Sequence, residues 1–283
     1  MKPLQILAAI LLPAASFALA GRAVNDLPGR INADGRLLRI RVEGEGSPAV
    51  VLEIGLGGPL EVWDLVQPEV ARFTKVFAYD RIGAVDAKPM LTGVEIAHEL
   101  RTALRNAGVE PPYILVGQSF GGVYNRIFAS LYPNEVAGMV LLDPTQEEFL
   151  DWLRIHYPKE MLSKEIVKNW AEGEGVWETL DQLKVAAPLP DIPIVLVTGT
   201  KFIDDPMRIK TLPVWTAMHA KWVTAQSEGR HVLAPDSGHG VEVEVPKLVV
   251  SLIREVVNQA RREAAAADAH RVAATQIAER AEP

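Results

Sequence analysis

One ten-residue stretch constrains this chain more than any other. Tyr113-Ile-Leu-Val runs apolar into Gly117-Gln118-Ser119-Phe120-Gly121-Gly122, and a helical pattern begins at once behind it. A strand that must reverse into a helix within a few residues forces the Ser119 backbone into a strained conformation. Side chains at positions 117 and 121 would clash there, which is why glycine stands at both. Gly-x-Ser-x-Gly alone turns up by chance; set between a buried strand and a helix it is specific. Such a turn holds the serine hydroxyl exposed at the C-terminal edge of a sheet. It also sets it beside a helix N-terminus, whose N–H groups can stabilise an anion.

The rest of the chain has the rhythm that this turn requires. Short aliphatic or β-branched runs at 37–42, 49–54, 75–79, 113–116, 138–142 and 192–198, with a weaker one at 231–234, read as strands. Helical patterns at 60–73, 94–106, 122–132, 214–227 and 245–262 lie between or after them. Strand–helix alternation with continuous apolar strands predicts an α/β fold, a mostly parallel sheet covered on both faces. Two segments break the rhythm. Residues 147–183 look helical with no strand and carry Trp152, Trp170 and Trp177, so the reading is a small helical cap inserted over the sheet edge at about 145–188. Phe149, Leu150 and the three tryptophans read either as an apolar wall of the site or as ordinary core. Residues 263–283 are Ala-rich and charge-flecked, either an extension of the last helix or a disordered end.

Compartment is read from the N-terminus. Lys2 precedes an almost wholly apolar run over 4–20 that closes on Ala18-Leu19-Ala20, the small-x-small pattern of a cleaved export signal. The alternative is an uncleaved membrane anchor, for which the run is at the lower limit of length. The expectation is a signal peptide at 1–20, a catalytic domain at 21–262, a periplasmic or secreted product, and no membrane span after signal removal. The 29 basic and 36 acidic residues show no basic run that would fit nucleic acid as a partner. With no cysteine there is no disulfide framework, thiolate metal site or Cys nucleophile. No His-Glu-x-x-His and no P-loop occurs, so no metal and no cofactor is expected.

The serine needs a base. Asp236-Ser237-Gly238-His239-Gly240 is a turn-rich stretch after the last strand candidate and before the final helix, where an imidazole can reach over the sheet edge and take the Ser119 proton. The other five histidines fall in helical patterns, at a strand start or in the tail.

Four ordered motifs now stand together: Gly-Gln-Ser-Phe-Gly-Gly behind its strand, Phe77-Ala-Tyr-Asp80-Arg81-Ile-Gly83 upstream, Leu141-Leu-Asp143-Pro144 downstream, and Ser237-Gly-His239 near the end. With them the chain, over 37–257, resembles the α/β-hydrolase family, in its single-domain esterase and peptidase branch. The resemblance implies an eight-stranded, mostly parallel sheet and a Ser–acid–His triad in that chain order. The chain departs from the family in two places. Ile54-Gly55-Leu56-Gly57-Gly58 stands where His-Gly often follows the third strand, and Ala84-Val85-Asp86 stands where the Asp-Arg-x-Gly motif often continues x-Gly-x-Ser.

Attack on an acyl carbon places negative charge on oxygen, which preorganised N–H donors stabilise. The expected donors are the backbone N–H groups of Phe120, next to the nucleophile, and of Leu56, in the turn after the third strand. The triad acid, which holds the imidazole tautomer, sits in the family after either the sixth or the seventh strand. The candidates are therefore Asp143, ending a buried run, and Asp204 or Asp205 in a longer loop, with Asp143 favoured because a strand end is held rigidly. The expected activity is hydrolysis of esters, lactones or amides of small to medium apolar acids through an acyl-enzyme. The alternatives are cofactor-free C–C cleavage or peroxidation with the same triad, and an idle ligand-binding relative. A serine at the elbow disfavours the epoxide hydrolases and dehalogenases, which use a carboxylate there.

Overall fold

The computed structural model describes residues 29–81, 91–157, 173–202 and 205–281. The proposed signal segment, Trp170 and Asp204 lie outside the described residues.

Eight strands form one sheet: β1 (Arg30–Ala33), β2 (Arg36–Glu43), β3 (Ala49–Glu53), β4 (Val76–Asp80), β5 (Tyr113–Gln118), β6 (Val136–Leu142), β7 (Ile194–Gly199) and β8 (Gly229–Ala234). Their spatial order is β1-β2-β4-β3-β5-β6-β7-β8. The β1–β2 and β2–β4 pairs are antiparallel, and every pair from β4 to β8 is parallel. Going outward from β3, the chain visits β4 on one side and β5 on the other. The crevice at the C-terminal ends of β3 and β5 is thus a topological switch point, the usual place for a site in an open α/β sheet.

Period-2 alternation explains why the inner strands read as unbroken apolar runs. In β5, Tyr113 and Leu115 face one hydrophobic layer while Ile114 and Val116 face the other. The first layer holds α2 (Gly93–Asn106) and α3 (Gly121–Leu131), with Leu100, Ile127 and Phe128 fully enclosed. The second holds the long α8 (Pro246–Ala281), whose Val249, Ile253, Val256 and Val257 pack on β5, β6 and β7. On this face also lie a 3-10 turn (Leu60–Trp63) and the one-turn α1 (Gln67–Val70). These replace the continuous helix expected over 60–73; Pro68, at the first turn of α1, cannot lie in a helix interior.

Between β6 and β7 stand α4 (Glu147–His156) and α5 (Gly173–Lys184). Helix α5 packs on α2 and α3. Its Thr179 Oγ1 and Gln182 Oε1 accept from Gly93 N–H and Val94 N–H at 2.8 and 3.0 Å, satisfying donors that the start of α2 leaves open. Phe149 and Leu150 are core residues here, while Trp152 and Trp177 are partly buried against that core. After β7 comes α6 (Pro206–Thr224), which starts eight residues earlier than the pattern at 214–227 suggested and runs through Pro213. The short α7 (Val241–Glu244) leads into α8. At 1.5 Å per residue α8 is about 54 Å long. Arg261 still donates to the Ser47 and Phe73 carbonyls, whereas residues 262–276 are exposed on every side. Among the described residues no helix is long and apolar enough to cross a membrane.

Candidate active site

Ser119 follows β5 with φ of +54°, in the left-handed region that a residue with a Cβ rarely occupies. The strain is held by three backbone bonds. Ser119 N–H donates to Leu142 O at 3.0 Å, and Ser119 O accepts from the N–H groups of Gly122 and Thr145 at 3.1 and 3.0 Å. A Cβ at Gly117 would stand 2.8 Å from the Gly122 backbone, and one at Gly121 2.4 Å from Glu53 O. The turn therefore accepts no larger residue at either place.

Asp143 follows β6 and is strained in the same sense, with φ of +43°. Its N–H donates to Val197 O at 2.7 Å, which continues the β6–β7 ladder past the end of the strand. His239 arrives from the loop after β8. Its backbone carbonyl accepts from Gln118 Nε2 at 3.1 Å, so the residue before the serine also fixes the histidine.

These elements bring three side chains into line. His239 Nε2 lies 2.9 Å from Ser119 Oγ, and His239 Nδ1 lies 2.6 Å from Asp143 Oδ2. All three are buried. Burial alone would push the Asp143 carboxyl up, but the hydrogen bond with His239 and the charges of His239 and Arg208 hold it below the ordinary carboxylate range. An ionised Asp143 obliges Nδ1 to carry the imidazole proton, which leaves the Nε2 lone pair to accept from the Ser119 hydroxyl. Burial, with Arg208 adding to it, lowers the His239 pKa against the opposing bond to Asp143. The arrangement can remove the Ser119 proton as the hydroxyl attacks and hold the imidazolium that results.

A turn at Gly55–Gly58, closed by Gly58 N–H on Gly55 O at 3.3 Å, faces the serine. A Cβ on Gly55 would meet Ser119 Cβ at 2.9 Å. Among the described residues neither the Leu56 nor the Phe120 N–H has an acceptor. Behind the turn, the Arg81 guanidinium donates to Ile54 O and Gly55 O at 2.7 and 2.8 Å and is hydrogen-bonded to the buried Glu53, which also accepts from Tyr79 Oη.

Of the other candidate acids, Asp205 is the N-cap of α6, accepting from Met207 and Arg208 N–H at 3.0 Å each. Two residues that sequence reasoning passed over touch the acid directly. Trp215 Nε1 donates to Asp143 Oδ1 at 2.8 Å, and Arg208 Nη2 lies 3.7 Å from Asp143 Oδ2. In the sequence Trp215 looks like an ordinary member of the helical pattern at 214–227 and Arg208 falls ahead of it, and nothing short of the three-dimensional fold of α6 against β6 marks them.

A parallel sheet carrying a strained serine elbow, with a histidine and an aspartate converging on it from later strand ends, defines a class of protein. The model of the alpha/beta hydrolase fold matches residues 48–201, and the chain belongs to that family. It is 25% identical over 229 residues to the uncharacterized protein YqjL of Bacillus subtilis (strain 168), covering 79% of this chain and 88% of that one. Among solved structures it resembles a thermophilic esterase from Thermogutta terrifontis, with a TM-score of 0.58 at 19% identity over 82% of this chain and 99% of the other. It also resembles a meta-cleavage product hydrolase from Pseudomonas fluorescens IP01, with a TM-score of 0.57 at 18% identity over 83% and 98%.

Proposed function

We propose that this chain is an exported serine hydrolase that cleaves esters, or lactones or amides, of small to medium apolar acids. The observation that carries the reading is the Ser119–His239–Asp143 line, with its 2.9 and 2.6 Å contacts and its fixed tautomer. Ser119 Oγ attacks the acyl carbon as His239 Nε2 takes its proton, and the carbonyl oxygen becomes an oxyanion facing the Phe120 and Leu56 N–H groups. Collapse of this intermediate breaks the bond to the leaving alcohol or amine, which departs with the proton held by His239. A water then gives a proton to His239 and attacks the acyl-enzyme, releasing the acid and restoring Ser119. Each oxyanion donor in such a site is worth ~3–4 kcal/mol of barrier. The name of the Thermogutta terrifontis neighbour agrees with ester hydrolysis. Export rests on Lys2, the apolar run behind it and Ala18-Leu19-Ala20.

The test is hydrolysis of a p-nitrophenyl ester series from acetate to octanoate. Turnover of one or more members, lost in Ser119→Ala, supports the reading. A chain inert to esters, thioesters and lactones alike, yet active on a vinylogous diketone, would be a C–C hydrolase instead. A chain inert to all of them would be a binding protein.

A further inference from the structure

We propose that Arg208 is a positioning residue of this site, a buried cation that keeps Asp143 ionised and holds His239 in its neutral, proton-accepting form. The proposal rests on the Ser119–His239–Asp143 reading and deepens it.

Arg208 is 1% exposed, yet it stands in the third position of α6 rather than in the core of an element. Its guanidinium is wedged against the side of the triad away from the serine: Nη2 is 3.1 Å from His239 Nδ1 and 3.7 Å from Asp143 Oδ2. The plane is lined by Phe202 and Trp215, whose ring centroids each lie 5.0 Å from Cζ. Trp215 in turn holds the other Asp143 oxygen. The N-cap bond of Asp205 to the Arg208 N–H fixes where the side chain starts.

A guanidinium is rarely sealed from water without a job for its charge, because its desolvation is offset only by a close anion. Here the acid of the site, already bonded to His239 and Trp215, is the first such anion, and Asp205 is a second. Two consequences follow. The positive charge resists protonation of Asp143, which keeps the Nδ1–H tautomer and so the free lone pair on Nε2. It also lies within hydrogen-bond distance of the imidazole, where it opposes a second positive charge on the resting ring. Nδ1–H is already committed to Asp143, so the Arg208 N–H that points at Nδ1 meets no lone pair there, and the guanidinium acts on the ring and on Asp143 by its charge. The charged groups around His239 are Asp143 just after β6, Arg208 on α6 and Glu244 on α7; Asp205, the N-cap of α6, acts on Arg208, and His219 of α6 on Asp143, while Glu242 beside Glu244 keeps its proton. Against that acidic set, Arg208 is the cation that lowers the His239 pKa. A role confined to packing would leave the histidine's ionisation unchanged.

The test uses the full chain and two substitutions. Arg208→Gln keeps a polar side chain with N–H donors but removes the charge, and Arg208→Lys keeps the charge but loses the fork. The His239 ring is followed by NMR titration of its imidazole nitrogens, which needs no turnover, and kcat/KM is followed against pH. The expected result is a His239 midpoint raised in Arg208→Gln by about one pH unit or more, a tenfold change in its ionisation constant. The acid limb of kcat/KM should move with it, so that activity lost at neutral pH returns at alkaline pH. Arg208→Lys should leave both close to their original position. An unmoved or lowered midpoint in Arg208→Gln overturns the proposal. So does a midpoint above ~6.5 in the unsubstituted protein, a measurement that stands even if Arg208→Gln does not fold. A chain inert toward esters, lactones and amides alike would end the hydrolase reading and leave the titration as informative as before.

Discussion

Replacing Asp143 by Asn probes the site most sharply, because the two side chains have the same shape and differ in charge and in one hydrogen-bond role. Asp143 accepts from His239 Nδ1 at 2.6 Å and from Trp215 Nε1 at 2.8 Å, and faces Arg208 at 3.7 Å. An Asn that keeps the Trp215 bond through its oxygen presents its NH2 to His239. The ring then answers with a bare Nδ1 and a protonated Nε2, which can no longer accept from Ser119. By analogy with the serine proteases the cost is ~10⁴-fold in kcat, equivalent to about 5.5 kcal/mol of barrier. A second cost falls on the fold. Arg208 loses one of the anions that balance it, and breaking a buried pair costs at most about 3–5 kcal/mol. At roughly 2–4 °C per kcal/mol for a domain of this size, the melting temperature should drop by on the order of 10 °C. The assay is kcat/KM on the best p-nitrophenyl ester, read with a thermal melt on the same preparation at a temperature where the variant is folded. Activity within tenfold of the unsubstituted enzyme would refute the assignment of Asp143, and a large loss in Asp204→Asn would then transfer the role.

Three further outcomes are expected. Because His239 is depressed below the ordinary imidazole value, activity should be full at pH 7 and fall only as acidification protonates the ring. A kcat/KM profile with its acid limb above about pH 7 would contradict this. In Gly55→Ala the new Cβ meets Ser119 Cβ and Gln118 Oε1 at 2.9 and 2.6 Å, pushing the Leu56 N–H out of place. kcat should fall ~10²-fold with KM little changed, and an unaffected kcat would remove Leu56 from the oxyanion hole. Burial raises the Glu242 carboxyl to about 8, so the folded state keeps a proton that the unfolded chain releases above its ordinary carboxyl range. Stability should therefore be lost as pH rises toward 8. Glu242→Gln, which lacks the dependence, should gain more melting temperature at pH 8 than at pH 5. Equal gains at both would mean that the carboxyl is charged in the fold.

The parts of this account legible in the sequence are those with a local cause. Ile114, Val116, Val140 and Leu142 are apolar because both faces of their strands are covered, and that leaves a readable run. The serine turn is readable because its glycines answer steric contacts within a few residues of chain. β1 leaves no such run: the Asp34-Gly35 hairpin turn, with φ of +51° and +87°, lies in plain view, but RINA is too short and too polar to read as a strand. The readable pattern at 214–227 begins only after Pro213, whereas tertiary packing of Trp215 and His219 carries α6 through that proline from Pro206. Arg208 and Trp215 could not be found at all, since their partner Asp143 is more than sixty residues away and no spacing rule connects them.

The central claim is that Ser119 is the atom that bonds to substrate, and covalent capture tests it most directly. The protein is incubated with a fluorophosphonate at pH 7, and the mass gain is located by peptide mapping. The account predicts one adduct, on Ser119, formed at a rate that falls steeply in His239→Ala and vanishes in a folded Ser119→Ala protein. An adduct on another residue, or a folded and untouched Ser119 in a preparation that still turns over ester, would contradict it.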